Sequence, residues 1–390
     1  MTDQRLRELF NDLAETLPEG SSRAGELWRQ GTRSRTRRRW TVAGAAAAVT
    51  VLVVAGIVVP SEPVERAVTV HPSGTPTPTI SPAPARETAP PPSGETKLPT
   101  LATALPEKWA DLPVVTAVPG PVLGVAQFGD GRIYLMKSGG RVPLDVKLDN
   151  AVDAGGNRGT PLKPNALAPD GTMAAFPQPD EVVVVDLVIG RARRYPVPGF
   201  NEVVLWRGEQ LLVEQEEANY LLDLATGKVR RQPYKGFAGV AGYRDLRIVS
   251  PEEGGWTVIR EGESEVELDV RDITNEGAMP VGVLDNHGWQ RGGLVARSAF
   301  AGYDQGKGAD VVVVADVATG RVVRTLRLPW GDPPGWRCGK EGCPVRGWIR
   351  QDTVIIESRD RLLGWNIATG ALSRVADLPD NVTAYSLRGW

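Results

Sequence analysis

Residues with chemistry-bearing side chains are sparse in this chain. The only two cysteines, Cys338 and Cys343, stand in the stretch RCGKEGCP. Four intervening residues, two of them glycine, let the chain double back and bring the two Cα atoms within disulfide range. A disulfide is expected if this part of the chain lies outside the cytoplasm; the alternative is a pair of free loop thiols. Two cysteines with no third or fourth ligand make a poor zinc site. His287, the single histidine of the C-terminal portion, sits in VLDNHGWQRGG two residues after Asp285. A Ser-His-Asp arrangement would need a nucleophile elbow of the G-x-S-x-G kind, and the chain contains none. Asp-Asn-His-Gly is ordinary turn composition. No H-E-x-x-H helix, EF-hand-like loop or dinucleotide fingerprint is present, so neither a metal nor a cofactor is expected. Carboxylate pairs of the glycosidase kind stay open, because spacing along a chain does not reveal separation through space.

Residues suited to contact are better represented. Two long insertions, PWGDPPGWRCGKEGCP at 329–344 and AGYDQGKGA at 301–309, carry Trp330, Trp336, Arg337, Tyr303 and Asp304. An acidic run at 214–217 adds Glu216. Aromatic rings and an arginine on a pinned loop suit a protein or glycan contact. Alternatively, the tryptophans cap the ends of structural repeats.

These loops hang on a repeated phrase: an apolar strand, Asp or Asn, two residues, Thr-Gly, and another strand. It reads YLLDLATGKVRR at 220–231, VVVADVATGRVVRTL at 312–326 and LLGWNIATGALSRV at 362–375. A degenerate copy, VVVVDLVIGRARRY at 182–195, has Ile189 in place of the threonine. The glycine can supply the positive φ of a tight turn, and the Asp or Asn side chain can bond the turn backbone. Recurrence of the phrase points to a repeat architecture.

From about residue 112 onward, short strands and turns dominate without a helical period. The clearest unit places strands at 202–206, 210–214, 219–223 and 228–232, and it recurs at 345–349, 353–357, 361–365 and 371–375. Four strands in about 30–40 residues is the size of a propeller blade. The remaining strands group into four more such units. The terminal stretch NVTAYSLRGW reads as the inner strand of a blade that does not follow. It is expected to complete the first blade, removing open sheet edges. The expected fold is an all-β, six-bladed β-propeller over 107–390, with seven blades if residues 112–118 begin another. In up-and-down blades, second-to-third turns and blade-to-blade connections share one face, which holds both insertions. The Thr-Gly turns share the other.

Ahead of it, residues 41–59 (TVAGAAAAVTVLVVAGIVV) carry no charge and follow five arginines at positions 33, 35, 37, 38 and 39. As a helix they span roughly 28 Å, enough for a bilayer. The basic flank puts the N-terminus in the cytoplasm and the propeller outside. The long n-region and the lack of a small-x-small site favour an uncleaved anchor over a signal peptide. Residues 60–106, with twelve prolines, read as an extended Pro/Thr/Ser-rich disordered spacer. Residues 1–40 hold Leu6, Leu9, Phe10, Leu13 and Leu17 at helical spacing. That short amphipathic helix could dock a cytoplasmic protein through residues 3–30, lie on the membrane, or stay partly ordered. The net charge of −2 divides into +3 over residues 1–40 and −5 over the rest, and neither value is a nucleic-acid footprint.

Two resemblances add to this reading. APDGTMAAF at 168–176 resembles the SPDG-strand motif of WD-repeat and related bacterial propellers. The ATG turns resemble the quinoprotein-type propeller motif, except that Arg231, Arg324 and Arg374 occupy the position of its tryptophan. Both motifs imply blade structure, not a substrate. The layout also resembles actinobacterial single-pass proteins with an extracytoplasmic propeller, among them membrane-tethered anti-sigma factors. The zinc-type anti-sigma pattern is absent, since residues 1–40 have neither His nor Cys. The expected function is a membrane-anchored, non-enzymatic binding or sensing module of the cell envelope, with a protein or cell-wall glycan as ligand. The alternatives are a regulator signalling through the tail and a propeller hydrolase or lyase.

Overall fold

The computed structural model describes residues 86–88, 94–242, 246–249, 256–260, 264–268, 288–301, 309–329, 338 and 343–389. The expected cytoplasmic tail, the apolar segment 41–59 and most of the spacer lie outside them. All belong to the compact unit Ile80–Trp390. Among the described residues it is all-β but for one three-residue 3-10 turn, Glu95–Lys97, and no described helix is long and apolar enough to cross a membrane.

Among the described residues six sheets follow one another along the chain, besides the two-residue pair Ala151–Val152 and Arg158–Gly159 between the first and second. In the first, Gly124–Phe128, Ile133–Lys137 and Gly140–Pro143 run antiparallel, with Val382–Leu387 as the fourth strand beside Gly124–Phe128. The last strand of the chain thus completes the first sheet, as the sequence suggested. The third sheet comprises Val203–Arg207, Gln210–Glu214, Tyr220–Asp223 and Val229–Arg231. The sixth comprises Val345–Ile349, Thr353–Ser358, Arg361–Asn366 and Leu372–Asp377. The fourth pairs Leu246–Val249, Trp256–Arg260 and Val266–Leu268, and Ile248 N–H donates to Ala238, placing residues 238–239 beside it, while Val240–Ala241 pairs in parallel with Gly288–Trp289. The fifth pairs Gly288–Arg291, Leu294–Ala301, Ala309–Asp316 and Val322–Pro329.

The second sheet contains a 14-residue strand, Met173–Asp186, paired with Arg191–Phe200. Fully extended, its ends would stand about 45 Å apart. Leu187 N–H nevertheless donates to the Thr172 carbonyl at 2.8 Å. The strand therefore folds back on itself at Pro179-Asp180, where Asp180 has φ +60° and its carboxylate accepts the Gly199 N–H. Residues 166–168 line the inner edge, with Ala175 N–H donating to Ala166.

The valine runs now make sense as strands buried on both faces, with alternate residues serving different cores. Val183 and Val185 pack toward the first sheet, Val182 and Val184 toward the third. Leu211 and Val213 face the second sheet, while Leu212 packs with Leu205 and Ala241. Val311 and Val313 meet Leu246, Ile248 and Val258 of the fourth sheet, and Val312 and Val314 meet Val354 and Ile356 of the sixth. Ile355 and Leu362 of the sixth pack against Ala126, Met136 and Tyr385 of the first. Successive sheets stack face to face, and the sixth returns to the first: a β-propeller-like arrangement.

The fold begins earlier than the sequence suggests. The spacer was expected to run, without a core, to residue 106. Instead Arg86–Thr88 adds in parallel to the outer strand of the fifth sheet, opposite Arg324–Leu326. Glu95 and Leu98 are buried, and the Ser358 hydroxyl bonds the Glu95 carboxylate. Thr100 bridges to Arg374 and Lys108 to Asp377 of the sixth sheet, and Val114 to Arg141 of the first. A strap therefore crosses the outer edges of three consecutive sheets, with Leu105, Trp109 and Leu112 in the core between the sixth and first. Proline biases its neighbours toward extended backbone, so a Pro-rich chain can lie along a sheet edge.

Candidate functional site

The Thr-Gly turns share one geometry. At Asp223, Asp316 and Asn366, the side-chain Oδ1 accepts both the backbone N–H and the hydroxyl of Thr226, Thr319 or Thr369, at 2.7–3.0 Å. The following glycines take φ of +69°, +68° and +82°. A Cβ on Gly320 would also collide with the Glu267 carbonyl at 2.0 Å. At the degenerate turn Asp186 bonds only backbone, of Val188 and Ile189. At Asp223 the bonds from Thr226 are the chief reason the carboxyl is held below its ordinary range. Of the arginines in the tryptophan position, Arg324 donates to the Ala368 carbonyl in the next sheet's turn at 2.6 Å. These turns are scaffold.

The opposite face holds a cleft of about 620 Å³, where the sixth, first and second sheets adjoin. Its walls come from three kinds of segment expected on that face. The connection into the second sheet supplies Thr160 and Lys163. The second-to-third turn of the sixth sheet supplies Glu357, Arg359 and Asp360. The link to the closing strand supplies Pro379 and Asp380. Its floor is an ordered polar cluster: Glu357 Oε2 accepts from Arg346 Nε at 2.6 Å and from the Tyr385 hydroxyl at 2.6 Å. The Arg346 guanidinium lies 5.3 Å from the Tyr385 ring centre, and Trp109 from the strap meets that ring edge-on at 5.7 Å. Burial, reinforced by the Glu357 carboxylate and opposed by Arg346, raises the Tyr385 pKa well above 10, so the phenol stays a donor. Burial also lowers the Lys163 pKa, against the pull of Glu202 and Asp153.

A second cavity, about 50 Å³, lies where inner strands converge. It is lined by Leu167, Trp206, Ala241, Trp289, Trp348 and Gly389, among others, and no carboxylate contributes to that lining. The indoles latch neighbouring sheets together. Trp206 donates to Ala166 at 3.0 Å, Trp348 to Trp289 at 2.8 Å and Trp289 to Val345 at 2.9 Å. Ser386 does the same toward Pro164 at 2.8 Å.

The matches to solved structures are remote. The extracellular domain of the one-component system BT4673 from B. thetaiotaomicron is 11% identical, with a TM-score of 0.38, over 74% of this chain and 37% of that one. BamB from Moraxella catarrhalis is 14% identical, with a TM-score of 0.34, over 70% of this chain and 77% of that one. Dihydro-heme d1 dehydrogenase NirN is 16% identical, with a TM-score of 0.35, over 68% of this chain and 59% of that one. This chain thus spans about a third of the length of the first of these. No family model matches the sequence, and no curated protein matches it. The fold assignment rests on the sheets and cores described above.

Of the residues singled out from sequence, Cys338 and Cys343 form a disulfide with Cα atoms 4.6 Å apart, and Cys343 is buried beside Val345. The bond closes a short loop at the C-terminal end of the 329–344 insertion, three residues before Arg346. Trp330, Trp336, Arg337, Tyr303, Asp304 and His287 lie outside the described residues. Glu216 is half-buried on the second-to-third turn of the third sheet, next to the Glu217–Lys235 ion pair, and does not line the cleft. Sequence reasoning missed Lys163, Glu357, Arg359 and Asp380, which carry no motif. The only signal was their place in loop-face segments. Among the described residues no cluster of His, Cys, Asp and Glu is placed to hold a metal ion.

Proposed function

We propose that this chain is a membrane-anchored, extracytoplasmic six-bladed propeller acting as a non-enzymatic binding or sensing module of the cell envelope. Each of the six sheets is one blade; residues 41–59 are the anchor and residues 1–40 the cytoplasmic tail. The observation that carries the binding reading is the loop-face cleft, whose central carboxylate, Glu357, is committed to Arg346 and Tyr385 rather than held free for proton transfer. Pockets of a few hundred cubic ångströms with convergent polar groups are the usual form of a ligand site. The disulfide beside the cleft supports placement in an oxidising compartment.

The test is to incubate the full-length protein with solubilised envelope glycan and protein fractions, then analyse retained and unretained material by mass spectrometry. Retention of a component recovered chemically unchanged is expected. Recovery of cleaved products would replace this reading with the hydrolase or lyase alternative.

A further inference from the structure

The second-to-third hairpin of the sixth sheet carries a residue that backbone energetics disfavours. Ser358 pairs directly with Arg361, leaving a two-residue turn of Arg359 and Asp360. Arg359, the first of the two, has φ +44°. Glycine normally fills that position in such a turn, because a side chain there is strained. Asp180 also has positive φ, but its carboxylate accepts the backbone N–H of Gly199 on the paired strand. Among the described residues Arg359 makes no hydrogen bond or ion pair, so nothing local offsets its strain. Its side chain is exposed and lines the cleft.

Lys163 lines the same cleft, half-buried, and its side chain likewise makes no hydrogen bond or ion pair among the described residues. Arg346, in contrast, is neutralised by Glu357. The cleft therefore offers two cations with no direct ion-pair contact, Arg359 and Lys163, the second attracted by Glu202 and Asp153. Beside them stand acceptors suited to hydroxyl groups, Asp380 and Asp360 (whose Oδ2 also accepts from Arg361), and the flat apolar faces of Pro164 and Pro379.

We propose that this cleft binds an acidic saccharide, its carboxylate set against Lys163 and Arg359 and its hydroxyls donating to Asp380 and Asp360. Two cations alone would suit any anion. Carboxylates beside them disfavour a plain polyanion and favour a ligand bringing both negative charge and hydroxyl donors. The inference rests on the binding reading above and names the ligand class for the same site.

The experiment is isothermal titration of the full-length protein with trigalacturonate, a neutral trisaccharide of equal length and a tri-glutamate peptide. Trigalacturonate is expected to bind best, by at least tenfold, with affinity falling as salt is raised. Arg359→Gly relieves the strained turn, so it should keep or raise Tm while weakening trigalacturonate binding at least tenfold. Lys163→Met should weaken it comparably. Equal binding of the neutral sugar or of the peptide, no binding of trigalacturonate, or undiminished binding by folded Arg359→Gly would each overturn the assignment. Retention of some other envelope component in the fractionation experiment would then leave the broader binding reading standing.

Discussion

Tyr385, on the last strand of the chain, donates its hydroxyl to Glu357 of the sixth sheet at 2.6 Å. One hydrogen bond thus joins the closing strand to the neighbouring sheet beneath the cleft. Because Glu357 also pairs with Arg346, its loss should be felt as more than one neutral contact. Tyr385→Phe is expected to cost about 2 kcal/mol in urea denaturation. Tyr385 also has a pKa raised in the fold. Its contribution is therefore complete below about pH 10, the unfolded value, and is lost as pH rises through the higher folded value. The variant should show a flatter decline above pH 10.

The strap predicts where a stable fragment begins. A fragment starting at residue 107 loses the Arg86–Thr88 pairing, buried Leu98 and Leu105, and the Glu95–Ser358 bond. Compared with residues 80–390 it should melt about 5 °C lower, corresponding to roughly 3–4 kcal/mol in a domain of this size. Equal melting temperatures in calorimetry would show that the strap contributes nothing.

The Thr-Gly turns supply a paired comparison. Thr226→Ala removes the hydroxyl bond to Asp223 and should cost about 1 kcal/mol. It should also let the Asp223 pKa rise back toward 3.8, measurable by NMR titration. Asp223, depressed in the fold, favours folding above its unfolded value, an effect lost as pH falls through the folded one. At the degenerate turn, Ile189→Thr restores the missing hydroxyl and removes an exposed isoleucine, so it should stabilise by about 0.5 kcal/mol.

The disulfide closes a loop of sequence separation 5. Chain-entropy reasoning gives it about 2 kcal/mol, less than a long-loop bridge would supply. The double variant Cys338→Ser, Cys343→Ala should lose that amount in urea denaturation, and a reductant should then have no further effect. Because the bond pins the chain beside Arg346, the variant should also exchange faster at Val345 and Arg346 amides.

Strand positions were legible because the valine runs and Thr-Gly turns are local signals: 210–214 and 353–357 were placed to within a residue. Ring closure was legible because 382–387 looked like an inner strand without a sheet. The strap was not, because Leu98 and Leu105 are isolated apolar residues in a proline-rich context, buried only by edges assembled from distant sequence. Nor was the cleft, since Lys163, Arg346, Glu357 and Arg359 meet only after the sixth sheet returns to the first. Trp206 and Trp348 each stand near the end of the first strand of a recurring unit, but their role, donating to the adjoining sheet, is tertiary.

The loop-face cleft is proposed as the place where this protein meets its ligand. Hydrogen–deuterium exchange of the full-length protein, with and without the retained envelope component, reads it directly. The account predicts protection confined to residues 160–164, 357–360 and 378–385, with the Thr-Gly turns unchanged. Protection centred on those turns, or on the small tryptophan-lined cavity, would contradict it.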